Sequence, residues 1–159
     1  MAENVLKTNA VRILESKNIV HSTVEYESDE NEIDAVSVAN KIGAEPETVF
    51  KTLVARNERN ELLVFVIPGN FELNLKKAAK ASGSKSIELI KVKELQPLTG
   101  YIRGGCSPIG MKKLFPTFID ETAQLNEKIY CSAGVRGMQL HLSPTDLLGV
   151  VEGEFCDLI

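Results

Sequence analysis

Val49-Phe50-Lys51-Thr52-Leu53-Val54-Ala55, the run VFKTLVA, decides how this chain is to be folded. Its length and its β-branched and aromatic content predict a strand, along which side chains alternate between faces. One face then carries Val49, Lys51, Leu53 and Ala55, and the other carries Phe50, Thr52 and Val54. Both faces are apolar, so the strand is expected to be buried on both sides. Lys51 must therefore be paired or open into a cavity, because an uncompensated buried ammonium costs several kcal/mol, to order of magnitude. Two glycine-rich stretches follow, GYIRGGCSPIG from Gly100 to Gly110 and YCSAGVRG from Tyr130 to Gly137. Such stretches let backbone approach a ligand closely. A lysine facing a cleft walled by glycine loops is the expected site.

Outward from that run, Arg56 to Glu61 reads as a polar turn, and Leu62 to Ile67 as an antiparallel partner closed by Pro68-Gly69. Upstream, Thr8 is placed to cap a helix through Lys17 with Val11, Leu14 and Ile13 inside, and His21 to Tyr26 reads as a strand. Ala35 to Ile42 has helical spacing with Gly43 just past its end. Downstream, Asn74 caps a helix with Leu75, Ala78 and Ala79 facing in and Lys76, Lys77 and Lys80 facing out. Ser86 to Ile90 reads as a strand, Val92 to Leu95 as a helical turn, and Tyr101 to Arg103 as a strand end. Pro116 to Asp120, Lys128 to Ser132 and Met138 to Leu142 complete the strands, and Ser143 caps a last helix containing Leu147 and Leu148. The pattern predicts one α/β domain over residues 1–159, with a mixed sheet of about seven strands and flanking helices. It is too antiparallel for a doubly wound nucleotide fold.

Bulk composition narrows the function classes. The 159 residues are 43% apolar and 25% charged, the balance of an ordinary soluble globule. No apolar run approaches the ~18 residues of a membrane span. The charged, helical start MAENVLKTNAVRILESKN does not read as a secretory signal, so a cytoplasmic protein is expected. Cys106, Cys131 and Cys156 form no CxxC pair, and His21 and His141 are the sole histidines. Neither a disulfide framework nor a structural zinc site is expected, and no cofactor is called for. Cys106 lies in a glycine loop, where a small loop residue is favoured over a nucleophile.

Net charge is −4, which argues against a general nucleic-acid coat, yet the charge is uneven. Six acids fall between Glu25 and Asp34, while Lys76, Lys77, Lys80, Lys85, Lys91 and Lys93 cluster with only Glu88 among them. That cluster is either a solvated face or a local phosphate-contacting patch. Gly104-Gly105 followed by Ser107-Pro108 matches neither GxGxxG opening a helix nor a mononucleotide P-loop. No Ser/His/Asp arrangement suggests a triad.

VFKTLV, LKKAAKASG, TGYIRGGCSPIGMKK with PTFID, and IYCSAGVRG occur in this order along nearly the whole chain. Together they resemble the YbaK/EbsC family of bacterial Cys-tRNA(Pro) deacylases, relatives of the editing domain of prolyl-tRNA synthetase. The resemblance implies a curved, partly barrel-like mixed sheet with flanking helices. It also implies hydrolysis of the ester joining a mischarged amino acid to the terminal adenosine of tRNA. The family's catalytic lysine falls on Lys51, and its substrate-binding positions on Tyr26, Thr52, Gly104, Gly105, Ser132 and Gly134. Two departures stand out. Ile33 or Ala35 lies where relatives often place an aromatic, and Gln139 stands where an aspartate is common.

The family precedent makes the substrate's own thiol the nucleophile, attacking its ester carbonyl and releasing a cyclic thiolactone. Lys51 and the backbone N–H groups of Gly104-Gly105 and of Ser132 to Gly134 are then expected to stabilise the ester oxygen. Lys76, Lys77, Lys80 and Arg103 are the candidates for acceptor-stem phosphates, and a transient complex with prolyl-tRNA synthetase is the implied partner. The alternatives are a deacylase for another aminoacyl group, such as Ala-tRNA(Pro), and a non-catalytic module that binds aminoacyl-tRNA or a partner.

Overall fold

Thr8 caps the first helix of the computed structural model, which describes residues 7–159; the rest of the charged start lies outside the described residues. The Thr8 hydroxyl accepts the N–H of Val11 at 3.2 Å, and α1 (Asn9–Ser16) buries Ala10, Val11 and Leu14. After β1 (His21–Glu25), the Asp34 carboxylate caps α2 (Ala35–Ile42), which ends on Gly43 in the left-handed region at φ 70°. A single 3-10 turn, Pro46–Thr48, then delivers the chain into β2 (Phe50–Asn57) and its partner β3 (Leu62–Pro68). The elements α3 (Leu75–Ala81), β4 (Ile87–Leu89), α4 (Val92–Thr99) and β5 (Thr117–Asp120) follow. The chain closes with β6 (Ile129–Ser132), β7 (Met138–Leu142), α5 (Pro144–Val151) and β8 (Glu154–Cys156).

These strands form two sheets rather than one. The larger runs β4-β2-β3-β5-β8 and is mixed; the smaller runs β1-β7-β6 and is antiparallel. A lone parallel bridge between Val49 and Tyr130 joins them. The expected burial of β2 on both faces holds. Phe50 and Val54 pack with Val64, Val66, Ile129 and Leu140 between the sheets, whereas Ala55 packs with Phe65, Ile67 and Ala78 beneath α3. Each fully buried side chain of this size contributes roughly 1.5–3 kcal/mol, so the strand is anchored from both sides.

Three local expectations are corrected, and one strand was not foreseen. The strand β8 has only three residues, too few to show a period. Tyr101 to Arg103 forms no strand: Tyr101 turns inward, donating its hydroxyl to the Ile109 carbonyl, and a turn begins at Arg103. The turn at Val92 extends into a full helix through Thr99 despite Pro97, held at its start by Glu94 accepting the Lys91 N–H at 3.1 Å. Leu75 is 46% exposed, because the inner face of α3 is supplied by Ala78 and Ala79.

Candidate active site

The edge of β2 creates the site. Strand β2 pairs with β3 over Phe50 to Arg56, but with β4 only over Ala55 to Asn57. On the β4 side the Val54 carbonyl accepts the Ile90 N–H at 3.1 Å. The two-residue alternation of a strand therefore turns the backbone groups of Thr52 toward the same edge, beyond the reach of the β4 pairing. A cavity of about 290 Å³ lies along this edge, between the two sheets. Phe50 to Leu53 line it from β2, Ser132 and Gln139 from the small sheet, and Arg103, Gly104 and Cys106 from the glycine loop.

Lys51 enters this cavity half-buried. Its Nζ donates to the Gly69 carbonyl at 3.3 Å and makes no ion pair within 4.0 Å among the described residues. Burial lowers its pKa below the ordinary lysine value, and the more distant Glu72 and Asp34 carboxylates oppose that shift. The ammonium is thus held by one neutral acceptor and keeps donors for a ligand. Gly69 permits this arrangement: a Cβ there would lie 2.3 Å from Ala35 Cβ and 2.7 Å from the Val49 carbonyl oxygen. Gly69→Ala is expected to push α2 off the turn, costing about 1–3 kcal/mol by overpacking and lowering activity as well. Thermal unfolding with a parallel rate measurement checks both.

The other expected residues divide. Thr52, Gly104, Ser132 and Arg103 line the cavity with Lys51. Gly104, at φ +84°, fits because a Cβ would stand 2.9 Å from Ile33 Cβ, so the segment before α2 closes over the glycine loop. Gly105 sits behind it against Val135 and Arg136, and Gly134 packs on the Tyr101 ring. Tyr26 does not line the cavity; it packs in the small cluster of Val38, Ala39 and Val49.

Three of the expected backbone donors are already committed. The Gly105 N–H donates to Ile102, the Ala133 N–H to Met138 and the Gly134 N–H to the Ser132 hydroxyl at 3.1 Å. Those turns close on themselves, which leaves the Lys51 ammonium as the charged donor on the cavity, beside Gly104 and Ser132. The Ser132 hydroxyl, with its oxygen accepting from Gly134, keeps its proton for the cavity. Lys77 also departs from expectation, since Asp157 at 2.9 Å and the Ile159 carbonyl at 2.6 Å hold its ammonium. Lys76 and Lys80 stay exposed and make no ion pair among the described residues.

Sequence reasoning missed Asp34 and Gly69 as lining residues, and noted Gln139 only as a departure from the family's aspartate. Cys106, expected as a small loop residue, is buried and also lines the cavity. Burial pushes that thiol up to about 12, leaving it protonated at neutral pH. Cys106→Ala is expected to leave deacylation within about threefold of wild type, whereas a larger loss would make the thiol a participant.

The aminoacyl-tRNA editing domain family matches residues 29–150, which contain every cavity residue named above. The chain belongs to that family. Within it, the editing domain is of the YbaK/EbsC-like, Cys-tRNA(Pro) deacylase kind. It is 48% identical over 152 residues to EbsC of Enterococcus faecalis (strain ATCC 700802 / V583), which is provisionally named a Cys-tRNA(Pro)/Cys-tRNA(Cys) deacylase. That match covers 96% of this chain and 93% of EbsC. A stretch of 99 residues, 62% of the chain, is 30% identical to 17% of the proline–tRNA ligase of Shouchella clausii (strain KSM-K16). Among solved structures, one described provisionally as a trans-editing enzyme for prolyl tRNA synthetase superposes with a TM-score of 0.82 at 25% identity. It covers 97% of this editing domain and 98% of that chain.

Proposed function

We propose that the protein is a trans-editing deacylase that clears mischarged Cys-tRNA(Pro), and Cys-tRNA(Cys) as a second substrate. The observation that carries this reading is the Lys51 ammonium, half-buried in a small cavity and held by a carbonyl rather than a carboxylate. A scaffold gains by replacing such a charge with a packed hydrophobe, so its presence here points to chemistry. The volume is near the lower end of ligand pockets, about 300 Å³, suited to a small aminoacyl group.

In the proposed mechanism the cysteinyl sulfur bonds to its own ester carbonyl carbon. Negative charge then gathers on the carbonyl oxygen, beside the Lys51 ammonium and the Thr52 edge. Collapse breaks the bond to the ribose oxygen, which takes the proton that the thiol gave up, and water later opens the released thiolactone. No protein nucleophile is needed, which suits a cavity whose only cysteine is protonated. Alanine and proline carry no thiol and are spared.

Lys76, Lys80 and Arg103 are the proposed phosphate contacts. With Lys77 tied to Asp157, a logarithmic plot of tRNA affinity against salt is expected to have a slope of about −2 to −3. Lys77→Ala is expected to leave that slope unchanged, and a salt-independent affinity would remove the assignment. So few contacts leave selection of the tRNA body to a transient complex with prolyl-tRNA synthetase, in the cytoplasm where charging takes place. Hydrolysis assays across Cys-, Ala- and Pro-charged tRNA(Pro) test the reading, with turnover expected for the first only.

A further inference from the structure

Gln139 is 5% exposed and lines the cavity, yet its amide oxygen has no hydrogen-bond partner. The Thr52 hydroxyl, on the same cavity, is likewise buried and unpartnered. Leaving such an acceptor unsatisfied is costly, so two of them lining one small cavity describe a place for a ligand donor. Gln139 stands directly opposite Ser132 across the β6/β7 ladder, which fixes its backbone, and Val24 pairs with it on the other side. An aminoacyl ester has one strongly donating group, its α-ammonium. The Lys51 ammonium repels that group and attracts the ester oxygen, so the two ends of the substrate are sorted to different parts of the cavity. Asp34 also lines the cavity but is exposed, and both of its carboxylate oxygens already accept from Ser37.

We infer that Gln139, with the Thr52 hydroxyl, receives the free α-ammonium of the substrate and so restricts the domain to esters with an unblocked amine. This rests on the deacylase reading above and adds a positioning residue to it. N-acylated and peptidyl esters of tRNA have lost the cationic donor and gained bulk, and are turned away. The neutral amide accepts from the ammonium without forming an ion pair that would draw Lys51 away from the ester.

The test compares cysteinyl-tRNA(Pro) with 3-mercaptopropionyl-tRNA(Pro), which keeps thiol and ester but lacks the amine. Wild type is expected to prefer the cysteinyl ester at least about 10-fold in kcat/KM, the value of one charge-assisted hydrogen bond. In Gln139→Leu the preference is expected to shrink by about 10-fold relative to wild type, through loss on the cysteinyl ester alone; Gln139→Glu keeps an acceptor and is expected to retain the preference while slowing both esters, because its carboxylate draws Lys51 away. The melting temperature of Gln139→Leu is expected to equal or exceed that of wild type, because an unpartnered acceptor is removed. An unchanged preference in Gln139→Leu, equal loss on both esters, a drop of several degrees in melting temperature, or loss of the preference in Asp34→Asn instead would overturn the assignment. Wild type inactive on cysteinyl-tRNA(Pro) would instead sink the deacylase reading, and this inference with it.

Discussion

Ser-tRNA(Pro) is expected to be hydrolysed at least about 100-fold more slowly than Cys-tRNA(Pro) by the wild-type protein. The two acyl groups are nearly isosteric, so both enter the cavity and meet the same wall of Thr52, Ser132 and Gln139. They differ in the attacking atom. A cysteine thiol is a few per cent ionised at neutral pH and is intrinsically very nucleophilic, whereas a hydroxyl is neither. The cavity offers no histidine or thiolate to make up the difference, and the one carboxylate on it, Asp34, already accepts from Ser37 with both oxygens. His21 and His141 do not line it, and Cys106 holds its proton up to about 12. The discrimination is therefore expected in the single-turnover rate and not in the binding constant. Comparable rates for the two esters would mean that an activated water, and not the substrate's sulfur, attacks the carbonyl.

Replacing Lys51 is expected to move activity and stability in opposite directions. Removing one preorganised donor from a developing oxyanion costs about 100-fold or more in rate. Lys51→Met keeps an unbranched apolar stem opposite Ile67 and removes the ammonium, so the loss reports the charge. Stability goes the other way because burial holds the folded-state pKa of Lys51 below the ordinary 10.5. Between those two values the unfolded chain binds more protons than the folded one, so stability rises with pH across that window. Below the window the full penalty of burying the cation is present. Lys51→Met is thus expected to melt at or above the wild-type temperature at neutral pH, with the advantage fading as the solution becomes alkaline. The wild-type rate, which needs the ammonium, should decline on the alkaline side before 10.5 is reached. Melting curves and rates measured over the same pH series check the signs together.

Lys51 was legible because a two-residue period acts within a single strand, and the run around it is apolar on both faces. Gly104 was legible because a glycine pair before a proline has few uses other than a tight loop. The division into two sheets was not, because it hangs on one bridge between Val49 and Tyr130, far apart in the chain. Lys77 looked as free as Lys76 and Lys80, and only the return of the chain to Asp157 and Ile159 removes it from the surface track. The committed N–H groups of Gly105, Ala133 and Gly134 depend on turn geometry that glycine content leaves open. Gln139 was hidden by its own pattern. In MQLHL the alternation sends Met138, Leu140 and Leu142 into the core and turns Gln139 and His141 away from it, the mark of a solvated face. The cavity beneath α2, which Val38 lines from that helix, is what makes that face an interior at Gln139.

The role of the Lys51 cation is tested most directly by single-turnover hydrolysis of Cys-tRNA(Pro), with wild type and Lys51→Met compared at matched folded fraction. A rate lower by about 100-fold or more in a variant that melts no earlier than wild type is the result expected. Hydrolysis by Lys51→Met within about threefold of wild type would contradict it.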